Sequence, residues 1–445
     1  MKPIPPVLAG LALALALAGP APAAAAAEPR TLTLPEALRE LAAHGPAAAQ
    51  ASARAGQASA LVRQAAAPLL PTLAATGSYV RNSDELIFQK LDAASIRRLV
   101  LGQPVQPESI AMQPREAFSA AGTLRVPLVV PASWADLAAA RHGAASARAG
   151  ADAALLGLRL ALVQGAWLAE GAEETAAAAE RALANARDLA ESAKRGVRAG
   201  LQPPLAALQA ETQAVRRESD LVRARAAVEQ TRLALGVLLG RAEPVRIALE
   251  APAAPAASGP EALAAEALSR RPELRAQEEL REVAGRQLTS ARLRWLPQLS
   301  ASGSAFVQDV PYPTGKREGW RVSVDLTWPL YDGGFRYGKQ REAEALLAGA
   351  QAGAEAQRLA VLQEVEDATR DQRVSTERLR LAEKQRAVAA DAAATARRGF
   401  DAGTTGHVEV LAAADELFQA EVGVADARAR LGAAGAALDR AAGRL

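Results

Sequence analysis

The chain contains no cysteine. Disulfides, thiolate metal ligands and an acyl anchor on an N-terminal cysteine are therefore excluded. An excess of one charge is also lacking. The 52 basic side chains face 49 acidic ones, a formal net of +3, and this near balance does not argue for nucleic-acid binding. Histidine is scarce, and His44, His142 and His407 lie far apart in sequence, which makes a poor case for a metal site. No Gly-x-Ser-x-Gly or His-Glu-x-x-His occurs, and Thr314-Gly315-Lys316 lacks the rest of a phosphate loop. Carboxylates are plentiful, but nothing marks a catalytic pair. The sequence thus offers no catalytic residue, no cofactor site and no metal ligand, and an enzyme is not expected. Beyond the first residues, no stretch reads as long and apolar enough to span a bilayer as a helix.

The first residues read as a secretory signal. Lys2 supplies positive charge, Val7 to Ala18 is apolar, and Ala25-Ala26-Ala27 offers a cleavage site before Glu28. The apolar run falls short of the roughly 20 residues of a spanning helix. A chain exported in this way is expected in the periplasm, outside the cell, or in the outer membrane as strands.

The mature chain is written twice. Leu70-Pro71-Thr72-Leu73 returns as Leu296-Pro297-Gln298-Leu299, 226 residues on, and Pro46 and Pro272 share that spacing. Val126-Pro127 matches Trp328-Pro329 at a spacing of 202, and Ala199-Gly200 matches Ala402-Gly403 at 203. The first half therefore holds 24 extra residues between Ser78 and Val126. The boundaries read as a signal over 1–27, a first repeat over 28–243, a Pro/Ala-rich linker over 244–260 and a second repeat over 261–445. Each repeat opens with a helical stretch, about 36–66 and 261–294.

Four segments alternate with period two, about 71–82, 116–127, 298–309 and 319–329. In the last, Trp320, Val322, Val324, Leu326 and Trp328 share one face, and Arg321, Ser323, Asp325 and Thr327 the other. The third sets Leu299, Ala301, Gly303, Ala305 and Val307 against Ser300, Ser302, Ser304 and Gln308, with Phe306 out of place on the polar side. Their lengths approach the ~9–11 residues of a tilted membrane strand. A soluble half-buried sheet alternates in the same way. The small hydroxylated face, the aromatics at strand ends and the signal favour the membrane reading. Four strands cannot close a barrel, and an open edge cannot sit in lipid. The chain must then oligomerise, and three copies with 12 strands leave a bore where two leave little.

Proline is absent from Ala132 to Gln202 and after Pro329. Helices over about 136–197 and 335–400 would each rise ~90–100 Å, then reverse at Gly200 and Gly403 into helices over 205–242 and 406–443. These hairpins span about 135–243 and 333–443. Small residues step by four and three along both long helices: Leu158, Leu162, Gly165 and Ala169 begin one seam, and Val365, Ala368, Gln372, Ser375 and on through Arg386 and Ala389 form the other. Such seams suit close-packed coiled coils.

These features resemble the TolC-like family of outer membrane efflux proteins over about residues 31–443. The pieces are Leu32-Thr33-Leu34-Pro35-Glu36-Ala37-Leu38, the two Leu-Pro-x-Leu segments, Ile110-Ala111-Met112-Gln113-Pro114-Arg115, and Pro329-Leu330-Tyr331-Asp332-Gly333-Gly334 before the second long helix. The resemblance implies a mainly α fold with membrane β-structure. A homotrimer joins an α-barrel of long coiled-coil helices to a 12-stranded β-barrel, four strands per chain. The implied function is the passive exit duct of a tripartite efflux pump or type I secretion system in the outer membrane. The implied partners are a periplasmic adaptor (membrane fusion) protein, an inner-membrane RND, ABC or MFS transporter reached through that adaptor, and outer membrane lipid, with no nucleic acid and no cofactor. The alternative is a periplasmic coiled-coil adaptor or scaffold without a pore.

The resemblance also suggests a periplasmic gate. In the family's best-known member the second helical turn carries Gly-Tyr-x-x-Gly-Thr-Arg and then two aspartates three apart. Here Phe400 stands for the Tyr, Thr405 for the Arg, Glu409 for the first Asp, and Ala412 for the second. Most polar links of that gate are therefore missing, and a ring of Glu409 or a solvated surface glutamate are both open readings. The adaptor-contact tips map to Gly200, Leu201, Gly403 and Thr404.

Overall fold

The structure is a computed structural model that describes residues 30–90, 93–104, 108–200, 202–250, 259–310 and 316–445. The expected signal over 1–27 lies outside the described residues, as do 251–258 of the expected linker and Thr314-Gly315.

In chain order the elements are β1 (Arg30–Thr33), α1 (Leu34–His44), α2 (Pro46–Ala66), a 3-10 turn (Ala67–Leu69), β2 (Thr72–Arg81), β3 (Leu86–Lys90), α3 (Ala93–Val100), β4 (Glu108–Gln113), β5 (Glu116–Val129), α4 (Pro131–Arg198), α5 (Pro204–Leu238), β6 (Val245–Ala248), α6 (Pro260–Arg270), α7 (Pro272–Leu293), β7 (Gln298–Gln308), β8 (Glu318–Thr327), α8 (Phe335–Asp401) and α9 (His407–Ala442). Proline sets many of these boundaries. Pro46, Pro131, Pro204, Pro260 and Pro272 each open a helix, where the ring's fixed φ fits and the missing N–H would have no partner anyway. Glu36 reaches back to Thr33, accepting from its backbone N–H at 2.9 Å and its hydroxyl at 2.8 Å, and so fixes the start of α1.

The long helices α4 and α8 have 68 and 67 residues, ~100 Å each at the usual rise. Their seams fall largely where the heptads put them. Leu162, Ala169, Ala179, Leu183 and Ala193 are buried on α4, as are Val365, Ala368, Gln372 and Ala389 on α8. Arg386 is the exception: it is exposed, because a long charged side chain keeps its head in water. Helices line up side by side. Below, α5 packs on α4, α4 on α9 and α9 on α8; nearer the strands the line is α2, α4, α7, α8. One core, with Leu41, Leu162, Leu235, Leu239, Val245 and Ile247, closes the first repeat at mid-height. Leu263, Val361, Val365 and Leu438 close the second.

Three expectations need correction. Each opening helical stretch is two helices, because Pro46 and Pro272 cannot continue a helix from the residue before. Residues 245–248 of the expected linker form β6, which pairs parallel with β1; four residues with Val and Ile in alternation are too short to stand out by pattern. One window of α4 is apolar enough by composition to cross a membrane, against the expectation of none. Leu162, Val163, Ala166 and Trp167 of this helix pack in cores with α1, α5 and α9, while most of the window is not buried in the chain. The stretch between Ser78 and Val126, where the first half is longer by 24 residues, holds β3, α3 and β4, with β3 and β4 antiparallel.

Candidate functional site

Strands β2, β5, β7 and β8 form one antiparallel sheet in that order. Its register aligns the alternating residues across all four strands. Leu73 faces Leu124, Tyr79 faces Phe118, Leu124 also faces Gly303, Leu299 faces Leu326, and Ala305 faces Trp320, all on one side. The other side carries hydroxyls in contact: Ser78 with Ser119 and Ser302 with Ser323, each at 2.8 Å. Phe306 sits on this hydroxyl side opposite Gly319, where a Cβ would come within 2.7 Å of its ring. The glycine opposite is what admits the misplaced aromatic. The apolar side is bare: Leu73 is 79% exposed, Trp320 79%, Val322 68% and Leu326 66%. Among the described residues, strands β2 and β8 each keep one unpaired edge.

Trp328 donates its indole N–H to the Trp295 carbonyl at 3.1 Å, at the helix end of the sheet. The Arg336 guanidinium lies 4.3 Å over the Trp295 ring, and Tyr337 meets that ring edge-on at 4.7 Å. Exposed Trp134, Trp328, Tyr331, Phe335 and Tyr337 crowd this level, and Tyr79, Phe118 and Trp320 stand at the far end of the strands.

At the other extreme lie the two helical reversals. Gly200 and Gly403 have φ of +71° and +74°, the left-handed conformation that ends a helix at low cost only with glycine. At the second turn the Gly399 carbonyl accepts from Thr404 N at 2.8 Å, Thr404 Oγ1 at 3.1 Å and Thr405 N at 3.2 Å. Half-buried Phe400 packs on the His407 ring, with centroids 5.8 Å apart. Both nitrogens of that ring are buried without a hydrogen-bond partner, and burial pushes the imidazole pKa down. Glu409 is exposed in the first turn of α9, with its carboxylate turned back on Gly406, where a Cβ would meet Oε2 at 2.4 Å. A carboxylate there favours the positive end of the helix. Gly200, Gly403 and Thr404 are exposed at the tips, while Leu201 lies outside the described residues. Phe400 and Thr405 share one turn, and Glu409 stands on the next helix.

Sequence reasoning missed an interlock higher up between the two hairpins. Asp415 of α9 accepts from Gln213 and Arg217 of α5. Arg217 is only 7% exposed, donates to Asp220 at 2.8 Å and stacks 4.3 Å over Phe418. Arg181 of α4 joins Glu421 of α9 at 3.0 Å. Together these groups border a cavity of about 440 Å³ between the hairpins. An Arg on a coiled-coil seam was the only available signal. Among the described residues, no group of acidic, histidine or cysteine side chains could hold a metal ion.

A family model described as outer membrane efflux protein matches residues 37–241 and 263–444. No curated protein sequence gives a significant match. Among solved structures, the chain is similar to the outer membrane protein VceC of Vibrio cholerae at 20% identity and a TM-score of 0.74, covering 92% of this chain and 96% of that one. It is also similar to the CmeC outer membrane channel of Campylobacter jejuni at 16% identity and 0.75, covering 92% and 85%. The open state of the MtrE outer membrane channel of Neisseria gonorrhoeae gives 19% identity and 0.72, covering 92% and 88%. At such identities the likeness is one of fold.

Proposed function

The chain belongs to the outer membrane efflux protein family, and we propose that three copies of it form the passive exit duct of a tripartite efflux pump or type I secretion system. The observation that carries this reading is the sheet. Its apolar side is exposed, its other side is hydroxylated, and β2 and β8 have free edges. Such a sheet is unstable in water and cannot sit in lipid while its edges are open. Joining β8 of one copy to β2 of the next removes every edge. Three copies give a 12-stranded barrel with its apolar side to lipid and its hydroxyls to a wet bore.

The helices support the same closure. The line of helices ends on α5 and α8. On α5, Leu208, Val215 and Val222 are exposed at heptad spacing, and on α8 so are Val374, Leu381 and Val388. Meeting across copies, these stripes bury each other as coiled-coil seams do. A poreless periplasmic scaffold would leave both the stripes and the apolar side of the sheet in water.

Phe400, Thr405 and Glu409 are assigned to the periplasmic gate, with Glu409 a candidate cation-favouring ring. Gly200, Leu201, Gly403 and Thr404 are assigned to contact with a periplasmic adaptor, which links the duct to an inner-membrane RND, ABC or MFS transporter. Residues 1–27 are assigned as a cleaved signal, and 28–243 and 261–445 as repeats joined through 244–260.

The test is conductance of the purified protein in planar bilayers, together with assembly of Val324→Arg. Stepwise currents are expected from the wild type. Val324→Arg should fail to assemble, since Arg on the lipid face costs ~2–4 kcal/mol at mid-depth. A detergent-free, soluble monomer that carries no current would overturn the proposal.

A further inference from the structure

The hydroxyl side of the sheet carries Arg125, Arg321 and Asp325, and the register fixes where each stands. Arg125 of β5 lines up with Ser302 of β7, and Ser302 with Ser323 of β8. The Ser302 and Ser323 hydroxyls are in contact, so Arg125 belongs to a row of hydroxyls. One row toward the far end of the strands, Arg321 lines up with Ser304 and Thr123. One row toward the helices, Asp325 lines up with Ser300. A row is two residues, ~6.8 Å of strand, and neighbouring strands lie ~4.8 Å apart. Asp325 is therefore ~12 Å from Arg125 across the sheet and ~13 Å from Arg321 along its own strand. It accepts instead from the Ser323 hydroxyl at 3.0 Å. Among the described residues, both guanidinium groups are exposed and have no side-chain partner.

Closing the barrel does not neutralise them. The strand that joins β8 from the next copy is β2, whose hydroxyl side holds Thr72, Ala74, Thr76, Ser78 and Val80, none of them charged. At the ends of the strands, Glu116 lies beside Arg81 at 3.9 Å, Asp309 accepts from the Phe118 N–H at 2.8 Å, and Asp332 is held by Arg336 at 2.7 Å. Two arginines and one aspartate per chain become six and three in the trimer. Twelve strands at the usual spacing, tilted ~40°, enclose a backbone cylinder of ~12 Å radius. The Debye length in ~0.1 M salt is ~10 Å, so an ion on the axis lies within the field of both arginine rings. Hydroxyls suffice to wet a bore, whereas an excess of one charge selects what passes.

We propose that the bore of the β-barrel is an anion-attracting section, in which rings of Arg125 and Arg321 recognise carboxylate or phosphate groups on the exported solute. A guanidinium group meets either anion with paired hydrogen bonds. Because both rings stand in water, each holds an anion weakly and lets it leave. Glu409 acts on another stretch of the duct, since α8 separates it from the sheet by ~100 Å. This deepens the exit-duct reading and rests on the trimeric barrel, not on the gate.

Reversal potentials across a KCl gradient in planar bilayers test it, on the wild type, on the double variant Arg125→Gln with Arg321→Gln, and on Asp325→Asn. The double variant should lower the chloride-to-potassium permeability ratio at least about threefold, and Asp325→Asn should raise it. Inorganic tripolyphosphate should block the wild type, block Asp325→Asn at lower concentration, and leave the double variant open. Asp325→Asn keeps the test available should the double variant not assemble. The same permeability ratio in wild type and double variant would overturn the proposal, as would an unchanged ratio in Asp325→Asn. A shift confined to Glu409→Gln would assign selectivity to the gate and overturn it too. Absence of any current from the wild type would instead overturn the duct reading itself.

Discussion

The indole of Trp167 on α4 stands where a side chain on Gly432 of α9 would be, since a Cβ at Gly432 would lie 2.1 Å from Trp167 Cδ2. Trp167 is 8% exposed in this notch. Above the Arg217–Asp415 interlock, the two hairpins are therefore in close contact. In an open helix, Gly→Ala stabilises by ~1 kcal/mol. Here Gly432→Ala is expected to destabilise by ~1–3 kcal/mol, because the indole and the backbones it separates must move. Thermal unfolding checks the sign. A stabilised Gly432→Ala protein would show that the notch is slack.

The mid-height core of the second repeat is tied by a buried charge network. Arg271 is 1% exposed and donates to Glu364 at 2.8 Å, Glu273 at 3.1 Å and the Ala441 carbonyl at 3.2 Å. Arg440 reaches Glu273 at 3.0 Å and also bonds Glu364. Removing one member strands the others. Arg271→Ala should cost ~3–5 kcal/mol, whereas Arg271→Met and Arg440→Met together with neutral partners at 273 and 364 should cost much less. Denaturant unfolding of both would decide it, and equal losses would show that packing rather than unpaired charge sets the cost.

Asp415 gathers Arg217 and Gln213 onto α9 from a different hairpin. Asp415→Ala leaves Arg217 buried beside Phe418 with Asp220 alone. The α8–α9 hairpin should then lean away more readily, giving larger or more frequent openings in planar bilayers. A double-mutant cycle with Arg217→Ala should return a coupling of ~0.5–3 kcal/mol. Single-channel records indistinguishable from wild type would remove this pair from gating.

His407 gives the second turn an acid sensitivity of known sign. Burial holds its pKa below the ordinary 6.5. The neutral ring is therefore the one that fits against Phe400. Its contribution is fully present above the ordinary histidine value and is lost as pH falls through the lowered one. The positive end of α9 disfavours the imidazolium further. Amide exchange over residues 399–410 should speed up between about pH 7.5 and about pH 5, beyond the intrinsic rate change. In His407→Leu that excess should vanish; if it persists, another group is responsible.

Much of this protein was legible because its signals are periodic and local. The two-residue alternation from Leu73 to Tyr79 and from Trp320 to Trp328 gave the apolar side of the sheet before any strand was paired. The prolines and glycines marked the helix ends, and the small-residue heptads marked the seams of α4 and α8. Each of these can be read within a window of ten or so residues, because strand and helix geometry repeat at fixed periods.

The rest was decided by which distant segments meet. Asp415 finds Arg217 across 198 residues of chain, β1 finds β6, and Trp167 fills the gap that Gly432 leaves. Amino-acid sequence alone set the faces, lengths and ends of the elements. Only the tertiary structure set their partners, because a contact between separated residues depends on the register of whole elements and leaves no periodic trace in either one.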